Sequence, residues 1–429
     1  VVTVAAALLV AIVIINVLKP GPSTPTPLHR RAATACTEHW VGSWEASPSG
    51  TSLTQPLSDQ TLRMIIAPHL GGSTLRVHLT NRFGTAPVTL GPVTVGVRGA
   101  GASLDPGSER SVTFGGRSTV VIPAGADAVS DPVSLHFGAF ADLAVSVYVP
   151  EPIKDPVEHF STRQTSYLSA SGSGDQAAQT SASAFAEQTT QKGFSTGWYF
   201  LDGVDVEAPG STGAVVAFGD SLTDGYQGTE AGTEQLSTIN TNGRYPDDLA
   251  RRLIAARIPL SVVNAGIGGN QLLHSVLPLS GPSGLSRFQL DALDEAGVTD
   301  VIVLEGINDI AAHATAGQLI AAYEHLISLA HAAGVAIQLG TLTPSGGSRY
   351  LAYADATSVR DQVNQWIRTQ HYSDGIVDFD AAVRDPGNPN IVDPAYNGGD
   401  GIHFDLAGYR AMADAVKLGE LQRPDCVTP

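Results

Sequence analysis

The sequence predicts an α/β protein whose parallel sheet is covered by helices on both faces, preceded by an all-β region of sandwich or jelly-roll type. Three observations carry this. From Gly213 onward, short apolar runs alternate with helical patterns. From His39 to Val206, apolar residues recur at alternate positions with turn signals between the runs. At 429 residues the chain is too long for one ordinary domain and comfortable for two.

Residues 1–18 are almost wholly apolar, and Lys19-Pro20 stops the run. A secretory signal core spans about 7–15 residues, and this run is longer. It just reaches the length that spans a bilayer. The segment is therefore read as a signal or a membrane anchor, an uncleaved anchor being preferred. Either places the rest of the chain outside the cytoplasm. Residues 19–37 form a Pro-rich linker. Cys36 and Cys426 are the only cysteines and bracket the folded region. In an oxidising compartment a Cys36–Cys426 disulfide is the natural reading, with two unpaired thiols as the alternative.

Residues 38–208 are expected to form the β-sandwich accessory domain. Leu75, Val77 and Leu79 alternate with Arg76, His78 and Thr80, as Leu143, Val145, Val147 and Val149 alternate with their neighbours. Gly71-Gly72, Pro92, Gly115-Gly116 and Pro123-Ala124-Gly125 punctuate the runs. Ser169 to Thr190 is poor in large apolar residues and reads as a long surface loop.

Residues 209–425 are expected to form the α/β domain. Strands are predicted at Val215–Phe218, Ser261–Asn264, Asp300–Leu304, Val335–Leu339 and Ile376–Phe379. Helices are predicted at Tyr245–Arg257, Leu285–Ala296, Ala316–Ala333, Asp355–Thr369 and Leu406–Leu418. Five strands with intervening helices imply a parallel sheet buried on both faces. Sites in such sheets lie at the carboxyl ends of the strands.

Composition narrows the function classes. The hydrophobic fraction of 43% supplies sizeable cores. A net charge of -17, with lysine only at Lys19, Lys154, Lys192 and Lys417, argues against nucleic acid and anionic lipid as partners.

Four patches fall at or near strand ends: Gly219-Asp220-Ser221-Leu222, Asn264 to Asn270, Gly306-Ile307-Asn308-Asp309, and Asp400-Gly401-Ile402-His403. Ser221 needs a base to become a nucleophile. His403 can take its proton and return it to a leaving group. Asp400 can hold the second imidazole nitrogen. An oxyanion needs donors, and the glycines after the second strand, the Asn308 side chain and the Ser221 backbone N–H offer them. Each patch alone is ordinary turn or cap composition; in order, near successive strand ends, they point to nucleophilic catalysis. Gly266 to Gly269 is not a phosphate loop, because no Lys-Ser/Thr follows. His313, His325 and His331 lie on or beside one helix without ligand partners and read as surface or core residues. Asp378 and Asp380 are a weak candidate for a cation. The four tryptophans, Trp40, Trp44, Trp198 and Trp366, read as core packing rather than a sugar platform.

The ordered patches resemble the blocks of the SGNH (GDSL) hydrolase superfamily. Gly219-Asp220-Ser221-Leu222 matches the first block, Gly269 the second, Gly306-Ile307-Asn308-Asp309 the third, and Asp400-x-x-His403 the fifth. Stretches at Trp40 to Pro48 and Trp198 to Val206 resemble the opening and closing of a β-rich region in one branch of that family. The similarity covers roughly His39 to Leu421. It implies a flavodoxin-like, three-layer α/β/α domain, a Ser221–His403–Asp400 triad, and an oxyanion hole from Ser221, Gly269 and Asn308. Relatives commonly carry Pro-Asn after the histidine. Phe404-Asp405 stands here instead, so Asp405 is expected to cap the last helix and Phe404 to alter a pocket wall.

The expected activity is that of an extracytoplasmic serine esterase needing no cofactor or metal. It would release acyl groups through an acyl-enzyme, short acyl groups on carbohydrate foremost. An acyltransferase or lipase acting on envelope glycans or lipids is the alternative, and a non-catalytic glycan-binding protein the third reading.

Overall fold

The computed structural model describes residues 34–427, apart from 36, 53–55, 189–196, 230, 232, 352–354 and 425. The apolar run 1–18, the linker up to residue 33 and Cys36 therefore lie outside the described residues, and so does the Cys36–Cys426 disulfide. Among the described residues, the short strands Thr34–Ala35 and Cys426–Val427 pair in parallel, with Thr34 opposite Cys426. No helix among the described residues is long and apolar enough to cross a membrane.

The α/β half contains one five-stranded parallel sheet. Its spatial order is Leu260–Gly266, Gly213–Gly219, Val298–Leu304, Ala336–Gly340, Gly375–Val377. The interior strand Gly213–Gly219 is buried along its whole length, as a near-continuous Ala/Val/Phe run requires when both faces carry helices. Three helices start where local chemistry dictates. Asp247 Oδ2 accepts from the Arg244 amide at 2.8 Å at the start of Tyr245–Ala255. Thr315 and Gln318 form a capping box at Ala316–Ala333, which ends on Gly334 at φ 72°. Asp405 accepts from the Ala407 and Gly408 amides to open Leu406–Ala415.

Two expected elements are shorter than the sequence pattern suggests. The helix expected over Leu285–Ala296 runs only from Gly284 to Phe288, then passes into a π-helical turn, Gln289–Leu293. The last strand stops at Val377, because Asp378 caps the helix Phe379–Val383.

The β-rich half is antiparallel. One sheet orders Asp127–Val129, Gly72–Thr80, Leu201–Ala208 and His39–Glu45, with Val133–Phe137 also paired to Gly72–Thr80. The second orders Phe185–Glu187, Tyr167–Ser169, Gln60–Ile66, Leu143–Val149, Val93–Val97 and Arg110–Val112. Leu75, Val77 and Leu79 of one sheet and Leu62, Met64, Val95 and Val145 of the other share one core, which makes a sandwich. The segment expected as a loop from Ser169 to Thr190 is more structured than its composition implies. Phe185–Glu187 pairs with Tyr167–Ser169. The buried Arg63 guanidinium binds the carbonyls of Ala102, Ala177 and Gln179 and so fastens the intervening chain. Residues 189–190 of that segment are outside the described residues.

The halves meet along a sheet edge. The strand His39–Glu45 lies beside the edge strand Leu260–Gly266, with Ala46 bridged in parallel to Asn264 and the Gly42 amide donating to Ala296 O at 2.8 Å. An exposed strand edge is thereby covered. His69 spans the seam, 2.7 Å from Val262 O and 2.9 Å from Asp247 Oδ1.

Candidate active site

Ser221 stands just beyond the end of the interior strand Gly213–Gly219. Gly219 there is tightly hemmed: a Cβ would lie 2.2 Å from Leu304 O and 2.3 Å from Thr223 Oγ1. Asp220 Oδ1 accepts from the Leu222 amide at 2.9 Å and so starts the short helix Ser221–Asp224. This strand-to-helix turn presents the serine hydroxyl at the carboxyl end of the sheet.

His403 and Asp400 arrive from the segment before the last helix. Ser221 Oγ lies 2.8 Å from His403 Nε2, and His403 Nδ1 lies 2.6 Å from Asp400 Oδ2. The other carboxylate oxygen, Asp400 Oδ1, accepts from the amides of Ile402 at 3.1 Å and His403 at 2.9 Å. Burial works against the Asp400 charge. The His403 ring and these amides outweigh it and hold the carboxyl below its ordinary range. The carboxylate is thus held ionised beside the ring, the state that orienting a catalytic imidazole would require.

The expected oxyanion donors are arranged by a second set of contacts. Gly269 sits at φ 73°, a left-handed conformation, and a Cβ there would press on Ser280 Oγ at 2.7 Å. Asn308 Nδ2 donates to Asn270 O at 2.8 Å and faces Asp220 Oδ2 at 3.4 Å. This ties the third patch to the residue following Gly269. Asp309 accepts from the Leu272 and Leu273 amides at 2.7 and 2.9 Å, fixing the chain beyond. Burial pushes the Asp220 carboxyl up to about 7, so less charge opposes an oxyanion nearby at neutral pH than an ordinary aspartate would place there.

Several supporting residues were not legible in the sequence. Arg287 is buried under the site and donates to Gly219 O, Ala265 O and Asn270 Oδ1, each at 2.8 Å. It therefore joins the ends of the first two strands to the Gly269 loop. No period or motif marks it, because most of its partners, carbonyls and side-chain oxygens alike, come from distant segments. Gly228 is the other: a Cβ there would lie 1.8 Å from Asp400 Oδ2 and 3.2 Å from His403 Nδ1. Tyr226 places its ring edge-on to His403, with centroids 4.7 Å apart.

The weaker sequence candidates resolve otherwise. Asp378 and Asp380 both accept from Arg368, at 2.6 to 2.9 Å, so that arginine occupies the place of the proposed cation. His331 pairs with Asp374 at 2.9 Å. Among the described residues no group of three or more His, Cys, Asp or Glu is arranged to hold a metal. Trp44 and Trp198 pack edge to face in the sandwich core. Phe404 is fully buried against Tyr409 rather than lining a pocket wall, because its ring completes the core beneath the last helix.

Residues 217–411 match the model of the GDSL-like Lipase/Acylhydrolase family. This span is somewhat under half of the chain and contains all four patches. The match supports a serine acylhydrolase domain in the α/β half. Among solved structures, the inhibitor-bound aryl esterase of M. smegmatis is similar at 19% identity, with a TM-score of 0.38 over 48% of this chain and 96% of that one. A lipase/acylhydrolase from Enterococcus faecalis gives 20% identity and a TM-score of 0.34 over 48% and 93%. A carbohydrate acetylesterase from Sinorhizobium meliloti gives 15% and 0.37 over 48% and 96%. Scores this low carry no argument about activity. No curated protein matches the chain.

Proposed function

We propose that this chain is an extracytoplasmic serine esterase that removes short acyl groups from carbohydrate through a Ser221–His403–Asp400 triad. The observation that carries the chemistry is the unbroken relay from Asp400 Oδ2 through His403 to Ser221 Oγ, at 2.6 and 2.8 Å. Ser221 Oγ attacks the ester carbonyl carbon while His403 Nε2 takes the hydroxyl proton. The carbonyl oxygen becomes an oxyanion facing the Ser221 and Gly269 amides and the Asn308 side chain. Collapse breaks the bond to the alcohol oxygen, which leaves with the proton from His403. Water then attacks the acyl-enzyme by the same steps. The apolar run 1–18 supports a place outside the cytoplasm.

One observation favours a second substrate reading, an apolar acyl chain. Val276, Leu277 and Leu279 are 37%, 53% and 44% exposed on the loop that follows Gly269. That loop closes on itself through the Val276 and Ser280 amides and packs its Ser280 side chain beside Gly269. Hydrolysis of aryl esters from acetate to decanoate, beside acetate release from an acetylated polysaccharide, separates the two. Ser221→Ala should abolish all of these activities in a folded protein; undiminished turnover would overturn the triad.

A further inference from the structure

We propose that the β-rich half buttresses one wall of the catalytic centre from behind, and that its Arg163 is a positioning residue for the Asp400–His403 limb. The inference rests on the triad proposed above.

The wall begins at the triad itself. Gly228 is pressed so closely on Asp400 and His403 that no side chain fits between them. It belongs to a narrow hairpin, in which Gln235 N donates to Gln227 O at 2.7 Å and Thr229 N to Thr233 O at 2.9 Å, with Gly228 bridged to Glu234. Any shift of Glu234 is thus transmitted across the bridge to the residue backing the Asp400 carboxylate.

Glu234 is held from the other half of the molecule. Arg163 Nη1 donates to Glu234 Oε1 at 2.6 Å, with both side chains buried. Its second arm reaches Thr238 Oγ1 and Gln235 O. A guanidinium fork fixes direction as well as distance, which a lysine cannot do. The segment carrying it is itself gripped by the catalytic half. Asn240 N donates to Arg163 O at 2.9 Å, Thr165 N to Asn240 Oδ1 at 2.8 Å, Gln164 Nε2 to Asn242 Oδ1 at 2.9 Å, and Arg244 to Thr162 O.

Backbone geometry points the same way. Ser161 and Arg163 both sit in the left-handed region, at φ 65° and 56°. Non-glycine residues occupy that region at a cost and persist there when surrounding contacts dictate it. Here the dictating contacts are those with the chain leading to and from the triad's backing hairpin. The chain tolerates this conformation where it brings the Arg163 fork onto Glu234.

The consequence is catalytic because the imidazole must serve two partners at once. A misplacement of about 1 Å can cost about 100-fold in rate. Arg163→Met should therefore lower kcat on a short aryl ester about 10- to 100-fold, with KM changed less than about threefold. Arg163→Lys, which keeps charge without the fork, should recover part of the loss, and Glu234→Gln should show a smaller fall. The pH profile of kcat/KM should shift in Arg163→Met, since the ring's surroundings change; a merely destabilised but correctly built site would keep the wild-type profile. Active sites are counted by stoichiometric fluorophosphonate labelling of the full chain, which corrects for misfolded protein. Unchanged kcat per labelled site, or a loss fully explained by fewer labelled sites with the pH profile unmoved, overturns the proposal. Ser221→Ala runs alongside: if it stays active, both readings fall, whereas an inactive Ser221→Ala with a normal Arg163→Met removes only this one.

Discussion

The proposed catalytic centre and the seam between the halves both contain histidines paired to aspartates, yet their surroundings suit them to different work. At the seam, His69 has Val262 O on one ring nitrogen and Asp247 on the other. His159 likewise has Ser47 O at 2.7 Å and Asp224 at 3.3 Å. Each ring is spent between two acceptors that have no proton to give. His403 also has its aspartate, but its second nitrogen meets the Ser221 hydroxyl, which can both give and receive a proton. Access differs too: the His403 side chain keeps 13% exposure against 5% and 3% for His69 and His159. A histidine–aspartate pair becomes a candidate base through what stands on the far side of the ring, not through the pair itself.

The comparison breaks if the two kinds of pair respond alike to removal. His403→Gln is expected to lower kcat by about 10⁴-fold or more while the denaturation midpoint barely moves. Asp400→Asn should follow at about 10³- to 10⁴-fold, since the ring loses its orienting charge. His69→Gln should do the reverse. Removing His69 leaves Asp247 only its Arg244 partner across a buried seam, at a cost of about 1–3 kcal/mol, while kcat per folded molecule stays within about threefold. Urea titration beside single-turnover kinetics on both variants separates the two behaviours. A seam variant that loses activity but not stability would erase the distinction.

His159 tests the boundary of that rule with a smaller effect. Its partner Asp224 is the last residue of the short helix that begins at Ser221, and the Asp224 amide donates back to Asp220 O at 2.9 Å. The contact at 3.3 Å is longer than that at His69, so His159→Gln should fall at the lower end of the same range of about 1–3 kcal/mol. Because Asp224 shares a turn with the proposed nucleophile Ser221, kcat should also fall, by about threefold to tenfold. Equal loss of stability with no change in kcat would make His159 a seam residue of the same kind as His69.

The two halves also differed in how much their sequence disclosed. In the α/β half, apolar runs such as Val215–Phe218 end directly in the residues of the site, so strand ends and chemistry could be read together. Ala316–Ala333 was legible because Thr315, Gln318 and Gly334 mark both ends. In the β-rich half, alternation located strands such as Leu75–Leu79 but not their partners. Leu201–Ala208 lies between Gly72–Thr80 and His39–Glu45, across more than a hundred residues of chain. Buried charges were least legible. Arg63, Arg287, His69 and Arg163 look like surface residues because their partners are carbonyls or carboxylates brought in by the fold. The part the β-rich half takes at the site was hidden for that reason.

Response to pH separates paired from unpaired buried carboxyls, with the smallest expected effect. Asp247 and Asp400 resist burial through their histidine and amide partners and lie below the ordinary carboxyl range. Their contribution to stability is complete above the unfolded value near 4 and is lost as pH falls through the lower folded value. Asp300 behaves oppositely. It is fully buried, and its partners, the Gln422 amide and the Thr299 hydroxyl, do not outweigh burial, which pushes it up to about 7. The unfolded chain ionises at this position near 4 and the folded chain near 7, so stability falls as pH rises between those values and levels off above. Asp300→Asn removes that slope and leaves a carbonyl oxygen for the Gln422 amide. Urea titrations at pH 5 and pH 8 should show wild type weaker at pH 8, and Asp300→Asn should narrow the gap by a few kcal/mol at most. An undiminished gap in the variant would mean that Asp300 is already ionised in the folded protein. Burial without a basic partner would then not be what separates it from Asp247 and Asp400.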